Sequence, residues 1–147
     1  MTDDWSENLL TDEARIRNLV RSLRRVAVLG IRPESLADRP AHYVPAYLTH
    51  AGLTILPVAV PDPGVPAILG QPVYRTVADV PGPIDVVDVF RRSEDVPAHV
   101  DDILRARPKA VWFQLGIRND EAAARLAQAG IQVVQDRCLM VDHRRWA

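Results

Sequence analysis

The sequence predicts an α/β fold: a doubly wound, mostly parallel sheet with helices on both faces. Three observations lead there. Short apolar, β-branched runs recur along the chain, as "RVAVLG", "LTILPVAV", "IDVVDVF", "KAVWFQLG" and "IQVVQ". They are continuous rather than alternating, which marks strands buried on both faces. Segments with helical spacing stand between them, and such alternation gives parallel strands joined by right-handed crossovers.

Residues 1–10 are expected to be a loose end, and residues 11–147 a single domain. From Thr11 to Arg24 the apolar positions Ile16, Leu19, Val20 and Leu23 follow one helical face, with Thr11 or Asp12 as cap. "RVAVLG" is then the first strand. Pro40 to Ala51 reads as a helix with Val44, Tyr47, Leu48 and Ala51 inward, Pro45 near its start and Gly52 just past its end. "LTILPVAV" (53–60) is the second strand. "PDPGVPAILGQP" is a surface connection, followed by a short strand at Val73–Tyr74. After the strand 84–90, Ser93 or Asp95 caps a helix whose inner face is Val96, Val100, Ile103 and Leu104. "KAVWFQLG" is a strand. Asn119 caps "DEAAARLAQAG", where Asp120 and Glu121 favour the positive end of the helix dipole and Gly130 ends the helix. "IQVVQ" is the last strand, and "DRCLMVDHRRWA" is left as a tail.

Composition narrows the function. The hydrophobic fraction of 48% supports a real core. Lys+Arg 18 against Asp+Glu 19 gives a net charge of −1, which argues against a general nucleic-acid or membrane-surface binder. The lone Cys138 excludes an intramolecular disulfide. The acidic start lacks the plan of a secretory signal, and no apolar run approaches a bilayer span, so a cytoplasmic location is expected. His42, His50, His99 and His143 have no zinc-like spacing.

Ligands of an open parallel sheet bind beyond the carboxyl ends of its strands. Those ends carry Gly30, Ile31 and Arg32; Ala59, Val60 and Pro61; Phe90, Arg91 and Arg92; Gln114, Leu115 and Gly116; Asp136, Arg137 and Cys138. Gly30 lets a ligand approach the backbone closely. Arg32, Arg39 and Arg91, with the amides of the next helix start, suit a phosphate or pyrophosphate, whereas Arg92 is expected to face water. The G-x-G-x-x-G fingerprint is missing, and no acid ends the second strand to hold a ribose diol. Both absences disfavour an ordinary NAD site.

The blocks "RPAHYVPAYL", "AGLTILPV", "IDVVDVFRR", "VWFQLGIRNDEAA" and "AGIQVVQDRCLMVDH" together resemble the small stand-alone CoA-binding proteins. These are similar to the CoA-binding domain of the succinyl-CoA synthetase α subunit. The resemblance runs from Val26 to His143, and "VDVFR", "WFQLGI" and "DRC" are its most specific parts. It implies a Rossmann-like fold and coenzyme A as ligand. The family's first loop has Gly-Ala-Ser and then Arg-Pro. Gly30 and Arg39-Pro40 match it, while Ile31-Arg32 replace Ala-Ser. Its second strand ends Pro-Val-Asn-Pro, where this chain has Pro57-Val58-Ala59-Val60.

On that resemblance, Gly30, Ile31, Arg32 and Arg39 are expected to cradle phosphates, and Ala59 and Val60 to pack near the adenosine. Phe90 and Arg91 would flank the pyrophosphate or adenine, and Gln114 the pantetheine or ribose. The partner expected is a small molecule, CoA or an acyl-CoA, with no nucleic acid or membrane; whether a protein partner exists is left open. No catalytic apparatus is evident, since the synthetase's phosphorylated histidine lies in a further domain. Two alternatives stay open: an enzyme or redox protein using CoA, in which Cys138 forms a mixed disulfide with the CoA thiol, and an NAD(P)-binding oxidoreductase-like domain. Asp88 is odd inside an apolar strand. It is either catalytic or a buried carboxylate paired with an arginine, such as Arg137, or with backbone amides. His42 reads as a helix-surface residue and Trp112 as core.

Overall fold

The computed structural model describes residues 4–60, 62 and 64–147. Asp12 opens the first helix, α1 (Glu13–Ser22), its carboxylate accepting from the Arg15 amide at 3.1 Å. Ile16, Leu19 and Val20 form its buried stripe, as their spacing predicts. β1 (Arg25–Leu29) follows, then α2 (Pro40–His50) and β2 (Thr54–Val58). The proline- and glycine-rich connection folds part of itself into a two-stranded antiparallel hairpin, β3 (Ala67–Ile68) and β4 (Gln71–Pro72), with Ile68 fully buried. The strand expected at 73–74 is reduced to one bridge between Tyr74 and Val58. Pro61 and Pro63 lie outside the described residues.

β5 (Val86–Val89), α3 (Val100–Ala106), β6 (Ala110–Phe113), α4 (Asp120–Gln128) and β7 (Gln132–Val134) complete the alternation. Ser93–His99, expected within the helix before β6, is a 3₁₀ turn that leads into α3. Asn119 caps α4 by accepting from the Ala122 amide at 2.9 Å. The expected tail is a further helix, α5 (Leu139–Trp146).

The main sheet has the order β2-β1-β5-β6-β7, all parallel. One core joins its inner face to α1, α2 and α5, and a second joins the opposite face to α3 and α4. The strand order reverses between β1 and β5, so a crevice opens at their carboxyl ends.

Residues 1–3 of the expected loose end lie outside the described residues; residues 4–7 are exposed, but residues 8–10 pack on the body. Trp5–Asn8 is a 3₁₀ turn, Asn8 donates to the Ala127 carbonyl, and the Leu10 amide donates to Val133 at 2.8 Å. Leu10 is 4% exposed. The polar composition of this stretch hides two leucines that cover the outer edge of β7.

Candidate functional site

The site starts with Gly30, the residue after β1. Its φ is +89°, a left-handed conformation, and its amide donates to the Val58 carbonyl at 2.9 Å. A Cβ there would stand 2.5 Å from the Phe90 carbonyl oxygen and 3.1 Å from Arg91 Cδ. Glycine is therefore required by the close approach of the β1 and β5 ends, before any ligand is considered. The same contact lays the Arg91 stem beside Gly30.

The loop after Gly30 is tied to α2 by a gap in that helix. Pro45 has no N–H to give to the carbonyl of Ala41, four residues earlier. The Arg32 amide donates to that carbonyl instead, at 3.1 Å. The Arg32 carbonyl in turn accepts from His42 Nδ1 at 2.9 Å, which puts a proton on that nitrogen. His42 is thus a buried loop anchor, 5% exposed, and not the surface residue its polarity suggested.

A cavity of about 870 Å³ opens over the carboxyl ends of β1, β5 and β6 and the start of α5. Of the residues singled out in the sequence, it gathers Gly30, Arg32, Arg39, Phe90, Arg91 and Gln114, with Arg92 at its wall. Three do not reach it. Ile31 and Ala59 are core residues, at 0% and 1% exposure, and Val60 packs on the core beneath β2. Their apolar side chains fill the space between sheet and helices, so at Ile31 and Ala59 only the backbone remains for contacts.

The cavity's arginines differ in what they already hold. Arg32 pairs with Asp62 at 2.9 Å, Arg39 lies 3.9 Å from Asp38, and Arg92 holds Asp95 at 3.0 Å. Arg92 is largely exposed, as its position predicted. Among the described residues Arg91 alone of the four has no carboxylate partner. Its Nε donates to His99 Nε2 at 3.3 Å. Burial, and then the Arg91 charge, push the His99 imidazole below its ordinary pKa against the opposing pull of Asp102 and Asp95. Gln114 is 4% exposed; its Oε1 accepts from the Leu139 amide at 3.0 Å and so caps α5. Cys138 sits at that helix's N-cap and lines the cavity.

Sequence reasoning missed Tyr43 and Ile117, which add apolar wall with the rim residue Leu115, and gave Ser93 only a capping role. Leu115 is 68% exposed and Tyr43 42%, an unusual state for such residues. Following the strand order, the cavity grades from arginines at β1 and β5 to Leu115, Ile117 and Cys138 at β6 and α5. Glu94 and Asp95 also line the charged end, both against Arg92, so the charge left there for an anion is that of the other arginines, with apolar contact at the opposite end.

Asp88 corrects an expectation. It lies in the middle of β5, between Val28 and Trp112, fully buried, and among the described residues neither carboxyl oxygen has a hydrogen-bond partner. Burial raises its pKa well above the usual carboxylate range. Arg137, the expected partner, is engaged by Asp142 through two bonds of 2.7 and 3.1 Å. Trp112 is core, its indole donating to the Arg137 carbonyl at 2.7 Å. Among the described residues no cluster of His, Cys, Asp and Glu could hold a metal ion, and no helix is long and apolar enough to cross a membrane.

A family model described as a CoA binding domain matches residues 24–144. The uncharacterized protein YneT of Bacillus subtilis (strain 168) is 34% identical over 131 residues, 89% of this chain and 93% of its own. A Thermus thermophilus protein solved as cell-free ID.343 matches with a TM-score of 0.86 and 38% identity, over 93% of this chain and 100% of its own. The dinucleotide-forming acetyl-coenzyme A synthetase 1 of Ca. Korarchaeum cryptofilum, in its apo form, shares the fold alone. Its TM-score is 0.64 at 21% identity, over 78% of this chain and 27% of its own.

Proposed function

Since the chain belongs to the CoA binding domain family, we propose that it binds coenzyme A or an acyl-CoA in the cavity at the sheet's carboxyl rim, as a binding protein without catalysis of its own. One observation carries this reading above the others: Arg91, free of any carboxylate among the described residues, stands in that cavity beside Gly30. An uncompensated guanidinium calls for an anion. The phosphates are assigned to Arg91, with Arg39 and Arg32 beside it. The pantetheine arm runs toward Gln114, Leu115 and Cys138. The absence of a nucleotide fingerprint and of an acid at the end of β2, where the nearest is Asp62 in the following loop, keeps NAD(P) in second place. The protein works in the cytoplasm on this reading.

A panel of CoA, acetyl-CoA, NAD and NADP in thermal-shift and calorimetric titrations tests it. CoA should raise the melting temperature, and Arg91→Ala should weaken its binding by about 10-fold or more, the loss of one charge-assisted hydrogen bond. A response to NAD with none to CoA would reverse the ranking.

The place of Cys138 at the cavity wall favours one further reading, a redox role. The Cys138 thiolate would attack the disulfide of oxidised CoA, forming a protein–CoA disulfide and releasing one CoA thiol. Intact-mass spectra with and without reductant decide it: the adduct must disappear on reduction, and its absence after incubation with CoA disulfide removes the idea.

A further inference from the structure

Resting on the CoA reading above, we infer that His99 is a positioning residue of the site: as a neutral acceptor it fixes Arg91 without cancelling its charge. An arginine side chain has several rotatable bonds, and holding it still opposes binding by the entropy lost. Here two contacts restrain it beforehand. The stem lies against Gly30, with Cδ 3.1 Å from where a Cβ would be. The Nε–H is given to His99 Nε2 at 3.3 Å. The two terminal amino groups are then left for a ligand.

The chemistry of the acceptor matters. A carboxylate at that point would hold the guanidinium as firmly and neutralise it, as Asp62 does to Arg32. Two carboxylates stand near His99, but each is occupied. Asp95 takes Arg92, and Asp102 accepts the Val77 and Ala78 amides at 2.7 and 3.0 Å. To accept from Arg91, His99 must be unprotonated at Nε2 and carry its proton on Nδ1. The arginine is positioned and keeps its full charge for phosphate.

The test is a set of CoA titrations by calorimetry at neutral pH on the unsubstituted chain, His99→Gln, His99→Leu, His99→Glu, Arg91→Ala and Arg91→Ala/His99→Leu. His99→Leu removes the acceptor and should weaken binding about 3- to 10-fold. His99→Gln keeps a neutral acceptor and should stay within about 2-fold of the unsubstituted chain. His99→Glu accepts but adds negative charge, and should bind more weakly than His99→Gln. In the Arg91→Ala background His99→Leu should have no further effect, because its role runs through Arg91. A full additional loss in that background, or equal affinity of His99→Gln and His99→Glu, overturns the inference and leaves the CoA reading standing. If His99→Leu does not fold, the Gln and Glu pair still decides. No binding of CoA by the unsubstituted chain overturns both.

Discussion

Asp88 is the residue whose energetics most oppose the fold. Its carboxyl is sealed between β1 and β6 with no partner among the described residues, and burial holds its pKa well above the usual range. The folded chain therefore retains a proton that the unfolded chain releases above about pH 3.9, and stability from this group falls as pH rises through that point. Asp88→Asn removes the titration with almost no change in shape. In paired thermal melts it should exceed the unsubstituted protein at pH 7, and the gap should close as pH falls toward about 4. A gap that widens toward acid would show that the carboxylate has an ionic partner when folded. The sequence flagged Asp88 as anomalous, but not its isolation. Arg137 was one possible partner, but Asp142, five residues on, takes that guanidinium. Gly30 shows a related limit. Its need for glycine was legible, but part of the reason, the Phe90 carbonyl 2.5 Å from a would-be Cβ, belongs to a strand sixty residues away.

Elements were legible wherever their apolar pattern was long and regular. All five strands of the main sheet, together with α1, α2 and α4, fall within the stretches predicted for them. α5 was not, because its eight residues carry Asp142, His143, Arg144 and Arg145, and its inner face rests on Leu139 with two polar residues, Asp142 and His143, that are buried only through partners. Asp142 meets Arg137, and His143 Nδ1 meets the Tyr47 hydroxyl at 3.0 Å. Single-sequence patterning has no means of seeing such pairs. The start of α5 also depends on a distant residue, since Gln114 accepts the fully buried Leu139 amide. Gln114→Ala should leave that amide unpaired and lower stability by about 1–3 kcal/mol in urea unfolding. Faster hydrogen exchange in the first turn of α5 would locate the loss; unchanged exchange there would mean the cap is replaced. The loop after β1 follows the same logic, seated on the carbonyl that Pro45 leaves vacant.

At the scale of the molecule, the parallel doubly wound architecture was readable, and so was the rim at which a ligand would sit, but the strand order was not. The composition of the site was readable in part. The arginines and Gln114 announced themselves by place or charge, whereas Leu115 was placed at the rim without a role and Tyr43 was not singled out, since only the fold shows them exposed at the cavity. The N-terminal stretch differs from the expected loose end at its second half, where Leu9 and Leu10 pack their apolar side chains on the two cores. Leu10→Ala should lower global stability by about 2–4 kcal/mol in denaturant melts, as for a well-packed core leucine. An effect below about 0.5 kcal/mol, the range of surface substitutions, would return this stretch to the status of a loose end.

The indole of Trp112 has a practical consequence. It is the largest fully buried side chain, and its ring nitrogen is tethered to the backbone just ahead of α5, while Trp5 and Trp146 lie nearer the surface. Ultraviolet emission from the protein thus contains one shielded, blue-shifted source and two wetter ones. Its colour gives a label-free optical gauge of whether the chain's final turns are seated.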